Sequence, residues 1–360
     1  KTKVLPRDRL AGVLREVALA SYGGSITLHY DTELTGVRWE VDGEDGKVEE
    51  TAVVTLEANG GSTDVRCGLL VGADGTARTL ATAMEAHTAS LDNGIVDRLT
   101  GNAGCVRVVR YHDDNRRVYK TVPMTVPAHW RKDVNYSART QDGRVVLDAL
   151  PANEDGDYCA ALLLRADDEY AKPDSDAAGL RALVDDTLPQ FSPLVSDAAL
   201  AAVAAKPPSN IPRFRYVGPS LHAGATTVLL GDAIHTVKPY FGIGVNSALE
   251  DVTALQTALD RHPHDRGAAL AAYSDARAGE AEALVRISRG LDRPGALGFL
   301  TFVLPIILDG IFHGLAPQWF DLNTIALLQR DGIGFEEVGR IKRRDRALQV
   351  AVLGGGLAPA

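Results

Sequence analysis

Cysteine is scarce in this chain. Cys67, Cys105 and Cys159 are the only three in 360 residues. No two of them have metal-ligand or redox-pair spacing, which speaks against a zinc site and a disulfide framework. Three reduced thiols fit an intracellular protein. A surplus of positive charge is also missing. Lys and Arg number 38 against 47 Asp and Glu, a formal charge of −9. A nucleic-acid surface needs clustered excess Lys and Arg, so nucleic acid is not an expected partner. No internal repeat is visible, and no apolar signal sequence precedes the first helical pattern. Apolar residues make up 45% and charged residues 24%, as in ordinary globular proteins. The length suits one large or two coupled domains.

Periodicity organises the chain. Leu10, Val13, Leu14 and Val17 fall at helical spacing, which predicts a helix over 7–20 ended by Tyr22-Gly23-Gly24. Strand-like runs follow at 26–30, 33–41 and 51–58. Asn59-Gly60 then signals a hairpin, with 63–67 as the returning strand. The apolar run from Gly68 to Gly75 predicts a strand buried on both faces. From about 104 to 212, strands at 144–150 and 158–164 surround one helical stretch, 176–188. A buried-strand pattern returns at Val228, followed by helices over about 244–260 and 266–288. An apolar stretch, a basic helix and a Gly-rich tail close the chain.

The segment Gly231 to Asn246, GDAIHTVKPYFGIGVN, carries the most chemistry. An acid at the tip of a buried strand can accept hydrogen bonds from ligand hydroxyls. The Gly-rich loop lets a ring approach the backbone. The helix beginning there offers free N–H groups and a positive dipole end, a suitable partner for an anionic ring. An earlier strand ends in Gly72-Ala73-Asp74-Gly75 and continues to Arg78. It precedes the first segment by about 155 residues.

These two segments, in this order, resemble the GD and DG motifs of the class A FAD-dependent aromatic monooxygenases, the p-hydroxybenzoate hydroxylase family. The Pro-Tyr-Phe-Gly-Ile-Gly-Val-Asn version is most similar to the kynurenine 3-monooxygenases. The resemblance implies that Asp232 holds the ribityl chain and that Gly231 beside it belongs to the cofactor site. It implies that Pro239 and Gly242 flank the isoalloxazine and that Gly244, Val245 and Asn246 present N–H groups to its pyrimidine edge. Asp74 and Gly75 would lie near the pyrophosphate, and Arg7 would reach the FAD. Tyr240 and Phe241 would line the substrate pocket or serve as packing. His235 is read as a hydrogen-bonded core histidine, because this chemistry needs no histidine base.

The implied fold is α/β. It is a partial FAD-binding domain of the glutathione-reductase-like Rossmann type, with an inserted antiparallel-sheet substrate domain and a helical C-terminal region. The expected boundaries are 1–100 and 216–290 for the two parts of the FAD-binding domain, 101–215 for the sheet-rich domain and 291–360 for the helical region. The family's GxGxxG unit has no counterpart before Arg7, so a fragment of a longer gene product is expected. The implied activity is hydroxylation of a small aromatic substrate with FAD, NAD(P)H and O2 through a flavin C4a-hydroperoxide, with no metal and no protein nucleophile. A non-catalytic flavin-fold binding protein and a prenyl-reductase-type oxidoreductase are the alternatives. A halogenase is disfavoured, because its WxWxIP signature is missing. The apolar stretch 295–316 contains Asp309 and His313, which suits a membrane-surface contact better than a span. The expected setting is cytoplasmic or at an organelle membrane. Lys342, Arg343, Arg344 and Arg346 are expected on a solvated face.

Overall fold

Asn59 and Gly60 both take left-handed φ, 51° and 77°. That is what a two-residue hairpin turn demands, and few residues other than Asn and Gly supply it. The turn joins β2 (Lys47–Ala58) to β3 (Gly61–Cys67), and β2 pairs on its other side with β1 (Thr32–Glu44). The computed structural model describes residues 7–44, 47–91, 105–112, 117–238, 242–290, 298–330 and 332–355. Contacts divide the chain into two compact units, Asp31–Asn115 with Pro212–Ala360, and Lys1–Tyr30 with Arg116–Ile211.

The first of these units is a mixed α/β body. Its central feature is the parallel pairing of β4 (Leu70–Gly72) with β13 (Thr227–Leu229), in which Leu229 lies opposite Gly72. Parallel strands that end level place their following turns side by side. Gly72 permits this packing. A Cβ there would stand 2.6 Å from a methyl of Leu80 and 2.8 Å from one of Leu229. Leu80 belongs to α2 (Thr79–Leu91), which packs into the same core as Val228, Leu229 and Ile234. Each such fully buried side chain contributes about 1.5–3 kcal/mol. A separate antiparallel sheet pairs β5 (Val106–Arg110), β11 (Arg215–Pro219) and β14 (His235–Thr236). Two long helices, α5 (Ile243–Arg261) and α6 (Arg266–Gly290), belong to the same body. Tyr273 of α6 is fully buried and donates its hydroxyl to the Leu229 carbonyl at 2.9 Å.

The second unit holds a five-stranded antiparallel sheet. Its order is β10 (Ser209–Asn210), β6 (Arg117–Thr125), β9 (Asp157–Arg165), β8 (Val146–Pro151), β7 (Tyr136–Arg139). Alternate residues of β6 are buried: Val118, Lys120, Val122 and Met124. Val118, Val122 and Met124 share a core with Leu180, Leu183 and Val184 of α3 (Ala177–Thr187) and Leu200 and Val203 of α4 (Asp197–Ala205). Asp176 caps α3 through the Ala178 N–H, and Ser196 caps α4 through the Ala199 N–H, as acceptors at N-caps do. Lys120 is tolerated inside because its Nζ donates to the carbonyls of Lys172 (2.7 Å) and Ala204 (3.1 Å) and to the Ser175 hydroxyl (3.2 Å).

Several sequence expectations need correction. Residues 26–30 form no strand, and Leu28 and Tyr30 are exposed. Alternating apolar residues make a strand only where an edge receives them. The run 68–75 is not buried on both faces, since Val71 is 41% exposed. Among the described residues β4 pairs on one side only. Helix α4 went unseen because Ala-rich runs carry little amphipathic signal. The first helix forms as α1 (Arg7–Tyr22), but its stripe of Val13, Leu14 and Val17 is exposed.

The basic cluster is mostly paired rather than solvated. It lies on α9 (Phe335–Gly355) and faces α7 (Leu304–Leu315). The buried Asp309 carboxylate accepts from Arg346 at 2.7 and 3.0 Å and from Gln349 at 3.1 Å, with Lys342 at 3.3 Å. Arg344 bonds Asp321 and Asp345. A charge inside an apolar helix is stable when it is paired in this way. No helix among the described residues is long and apolar enough to cross a membrane.

Candidate flavin site

The GD segment leaves β13 through a 3-10 turn, Gly231–Ala233. Gly231 has φ +61°, and a Cβ there would stand 3.2 Å from the Ala248 methyl. A side chain is therefore opposed both by the left-handed backbone and by α5. The next residue, Asp232, is exposed. Among the described residues its side-chain oxygens accept no hydrogen bond. Gly242 takes φ +63°, and α5 begins directly after it with no side-chain cap. The first N–H groups of a helix lack intrahelical acceptors. The amides around Gly244, Val245 and Asn246 therefore offer donors and a positive dipole end. Val245 and Asn246 are exposed and Gly244 is half-buried.

The DG segment lies beside this turn, because Leu230 N–H donates to the Gly72 carbonyl at 2.9 Å. Gly75 takes φ +63° with open space where a Cβ would stand. Asp74 is exposed, and its carboxylate accepts the Leu80 N–H at 3.1 Å, which caps the start of α2. The structure thus gathers Asp74, Gly75, Gly231, Asp232, Gly242, Gly244, Val245 and Asn246 in one unit. Pro239, Tyr240 and Phe241 lie outside the described residues. Arg7 opens α1 in the other unit.

Under the turn lies a buried polar network that sequence reasoning did not assign. Asp251, fully buried on α5, accepts the Gly231 N–H at 3.0 Å, His235 Nε2–H at 2.8 Å and Arg277 Nε–H at 2.7 Å. Arg277 also donates to the carbonyl and hydroxyl of Ser247, at 3.3 and 3.1 Å. Burial pushes the Asp251 carboxyl up, but the hydrogen bond from His235 and the guanidinium of Arg277 outweigh it, so the net shift is downward. A carboxylate can only accept, so the proton between Asp251 and His235 sits on Nε2. Ser247 Oγ lies 3.3 Å from that same nitrogen. A hydrolytic triad needs the acid and the nucleophile on opposite ring nitrogens, so Ser247, His235 and Asp251 are no nucleophile system. His235 is a fully buried, hydrogen-bonded histidine.

A signal for this network was present. Ser247, Asp251, Leu255 and Ala258 form the buried stripe of α5, and Arg277 lies on the buried stripe of α6 with Tyr273, Ser274, Ala281 and Leu284. A charge on a helix's apolar stripe requires a buried partner.

An exposed acid at a strand tip, glycines beside it and an uncapped helix start are the donor and acceptor set that a flavin's sugar chain and pyrimidine ring need. The chain is similar to flavoproteins of the aromatic-hydroxylase type. Residues 202–288, which contain Asp232, Asp251 and Arg277, match the family model described as FAD binding domain. Kynurenine 3-monooxygenases are among its homologues. That of Salinispora arenicola is 29% identical over 373 residues, covering 99% of this chain and 74% of that enzyme. That of Salinispora tropica is 38% identical over 138 residues, covering 36% of this chain and 29% of that enzyme. Among solved structures, the OxyS anhydrotetracycline hydroxylase of Streptomyces rimosus shares the fold at 18% identity and TM-score 0.53. That alignment covers 97% of this chain and 56% of the hydroxylase.

Proposed function

We propose that this chain is the flavin-holding part of an FAD-dependent monooxygenase that hydroxylates an aromatic substrate, in the manner of kynurenine 3-monooxygenases. The observation that carries the reading is the Asp232 carboxylate, exposed and accepting no hydrogen bond among the described residues, on a glycine-bearing turn that precedes the start of α5. FAD, when bound, supplies electron transfer from NAD(P)H and activation of O2. The balance is ring C–H plus O2, NAD(P)H and a proton giving ring C–OH, water and NAD(P)+. Asp232 accepts hydrogen bonds from the ribityl hydroxyls. The amides of Gly244, Val245 and Asn246 favour negative charge on the pyrimidine edge, because a helix N-terminus carries about half a positive charge. Gly231 and Gly242 take left-handed φ, +61° and +63°, which side chains disfavour. Asp74 and Gly75, at the tip of the neighbouring parallel strand, are assigned to the pyrophosphate side.

The test is reconstitution. The full-length protein is purified, mixed with FAD and desalted, then scanned for flavin absorbance. NAD(P)H oxidation is followed while aromatic amines and phenols are added, and hydroxylated product is sought by mass spectrometry under 18O2. Retained flavin with labelled product is expected. Retained flavin without O2-dependent product would favour a binding protein, and failure to retain flavin would reject the assignment.

A further inference from the structure

Arg78 occupies a position that ordinary packing does not favour. Its backbone is left-handed, φ 56°, although it is not glycine, a conformation that crowds the Cβ. It is 2% exposed, and one guanidinium nitrogen, Nη1, is buried without a partner among the described residues. Burial, together with the nearby cation of Arg215, pulls its pKa down to about 10. Each feature is unfavourable by itself. What the other nitrogens grip offsets them. Nε donates to the Ala233 carbonyl at 3.0 Å, and Nη2 donates to the Asp232 carbonyl at 2.9 Å and to the Thr236 hydroxyl. Thr236 Oγ1 in turn donates to the Asp232 carbonyl at 3.2 Å.

The 231–233 turn is therefore held from two sides. Asp251 takes its amide, and Arg78 takes its two following carbonyls. These grips leave the Asp232 side chain as the group of the turn that faces solvent. We propose that Arg78 is a positioning residue for the flavin turn: it reaches from the DG segment, fixes the Asp232 backbone and aims the Asp232 carboxylate, without touching cofactor itself. The proposal rests on the flavin reading given above for what the carboxylate meets. The clamp itself is testable without flavin.

Hydrogen–deuterium exchange of the full chain tests it, comparing wild type with Arg78→Lys and Thr236→Val. Thr236→Val keeps the β-branched shape and removes one hydroxyl, which accepts from Arg78 and donates to the Asp232 carbonyl, so it is the milder of the two variants and is expected to fold. Amides at 231–236 should exchange about tenfold faster in Arg78→Lys, from lost charge-assisted bonds, and severalfold faster in Thr236→Val. Amides of α6 over 270–285 should be unchanged in both variants. Loss of protection spread evenly over α6 and the turn in both variants, or an unchanged turn in both, would overturn the clamp. In parallel, the FAD dissociation constant should rise about tenfold in Arg78→Lys, with the KM for NAD(P)H unchanged. A raised KM with unaltered FAD affinity would instead make Arg78 a nicotinamide contact and overturn the proposal. Wild type that retains no FAD would reject the functional reading and leave the exchange result to decide the clamp.

Discussion

Replacing Asp251 with Ala should be among the most damaging single changes in the unit that carries the turn. The carboxylate is fully buried and accepts from Gly231, His235 and Arg277 at 3.0, 2.8 and 2.7 Å. Alanine would leave the Gly231 amide unpaired. It would also leave Arg277, whose side chain is 10% exposed, as a buried cation without its closest acid. Breaking one side of a buried pair costs roughly 3–5 kcal/mol. Domains of this size lose roughly 2–4 °C of melting temperature per kcal/mol. The expected drop is therefore on the order of 10 °C, read by calorimetry or circular dichroism. Asp251→Asn keeps the volume and one acceptor and should lose roughly half as much.

The same pair of proteins gives a pH test with a definite sign. The Asp251 carboxyl is held below its ordinary value in the folded chain. A depressed carboxyl contributes stability that is present above its unfolded pKa of about 3.9 and lost as pH falls through the lower folded value. The stability gap between wild type and Asp251→Asn should be flat above about pH 5 and should close below about pH 4. A melting temperature for Asp251→Ala within 2 °C of wild type, or a gap that widens in acid, would refute this reasoning.

Two further outcomes follow from the exposed surfaces. Asp232→Asn should fold with an unchanged melting temperature, because its side-chain oxygens accept nothing among the described residues, yet it should weaken FAD binding about tenfold by fluorescence titration. Ile307, Ile311 and Leu315 of α7 are 47%, 51% and 79% exposed, with Trp319 beyond them at 64%. This apolar strip suits an interfacial contact. Wild type should float with phosphatidylcholine vesicles, and Ile307→Ser with Ile311→Ser should reduce the floated fraction severalfold. Equal flotation of both would remove the membrane-surface proposal.

Local chemistry made much of this readable in advance. Asn59-Gly60 defined its own hairpin, because φ > 0 at two successive positions suits few residues. The helices 243–261 and 266–290 followed from their period. Gly231, Asp232 and the loop before Asn246 stood out because strand tip, glycine and helix start are contiguous in the chain. Residues 26–30 misled, since their pattern says nothing about whether an edge awaits them. Lys342 and Arg346 misled for the same reason, as their acid, Asp309, lies on another helix.

By itself, the order of residues determined the turns and most of the helices, and placed the acid of the candidate site at a strand tip, because each depends on backbone preferences within a few neighbours. Only tertiary structure decided that the DG and GD turns lie side by side, through the parallel register of Gly72 with Leu229. It alone decided that Arg78 and Asp251 hold one turn from opposite sides. Buried hydrogen bonds join groups 20 and about 155 residues apart, and nothing along the chain encodes which distant carbonyl a buried guanidinium will find.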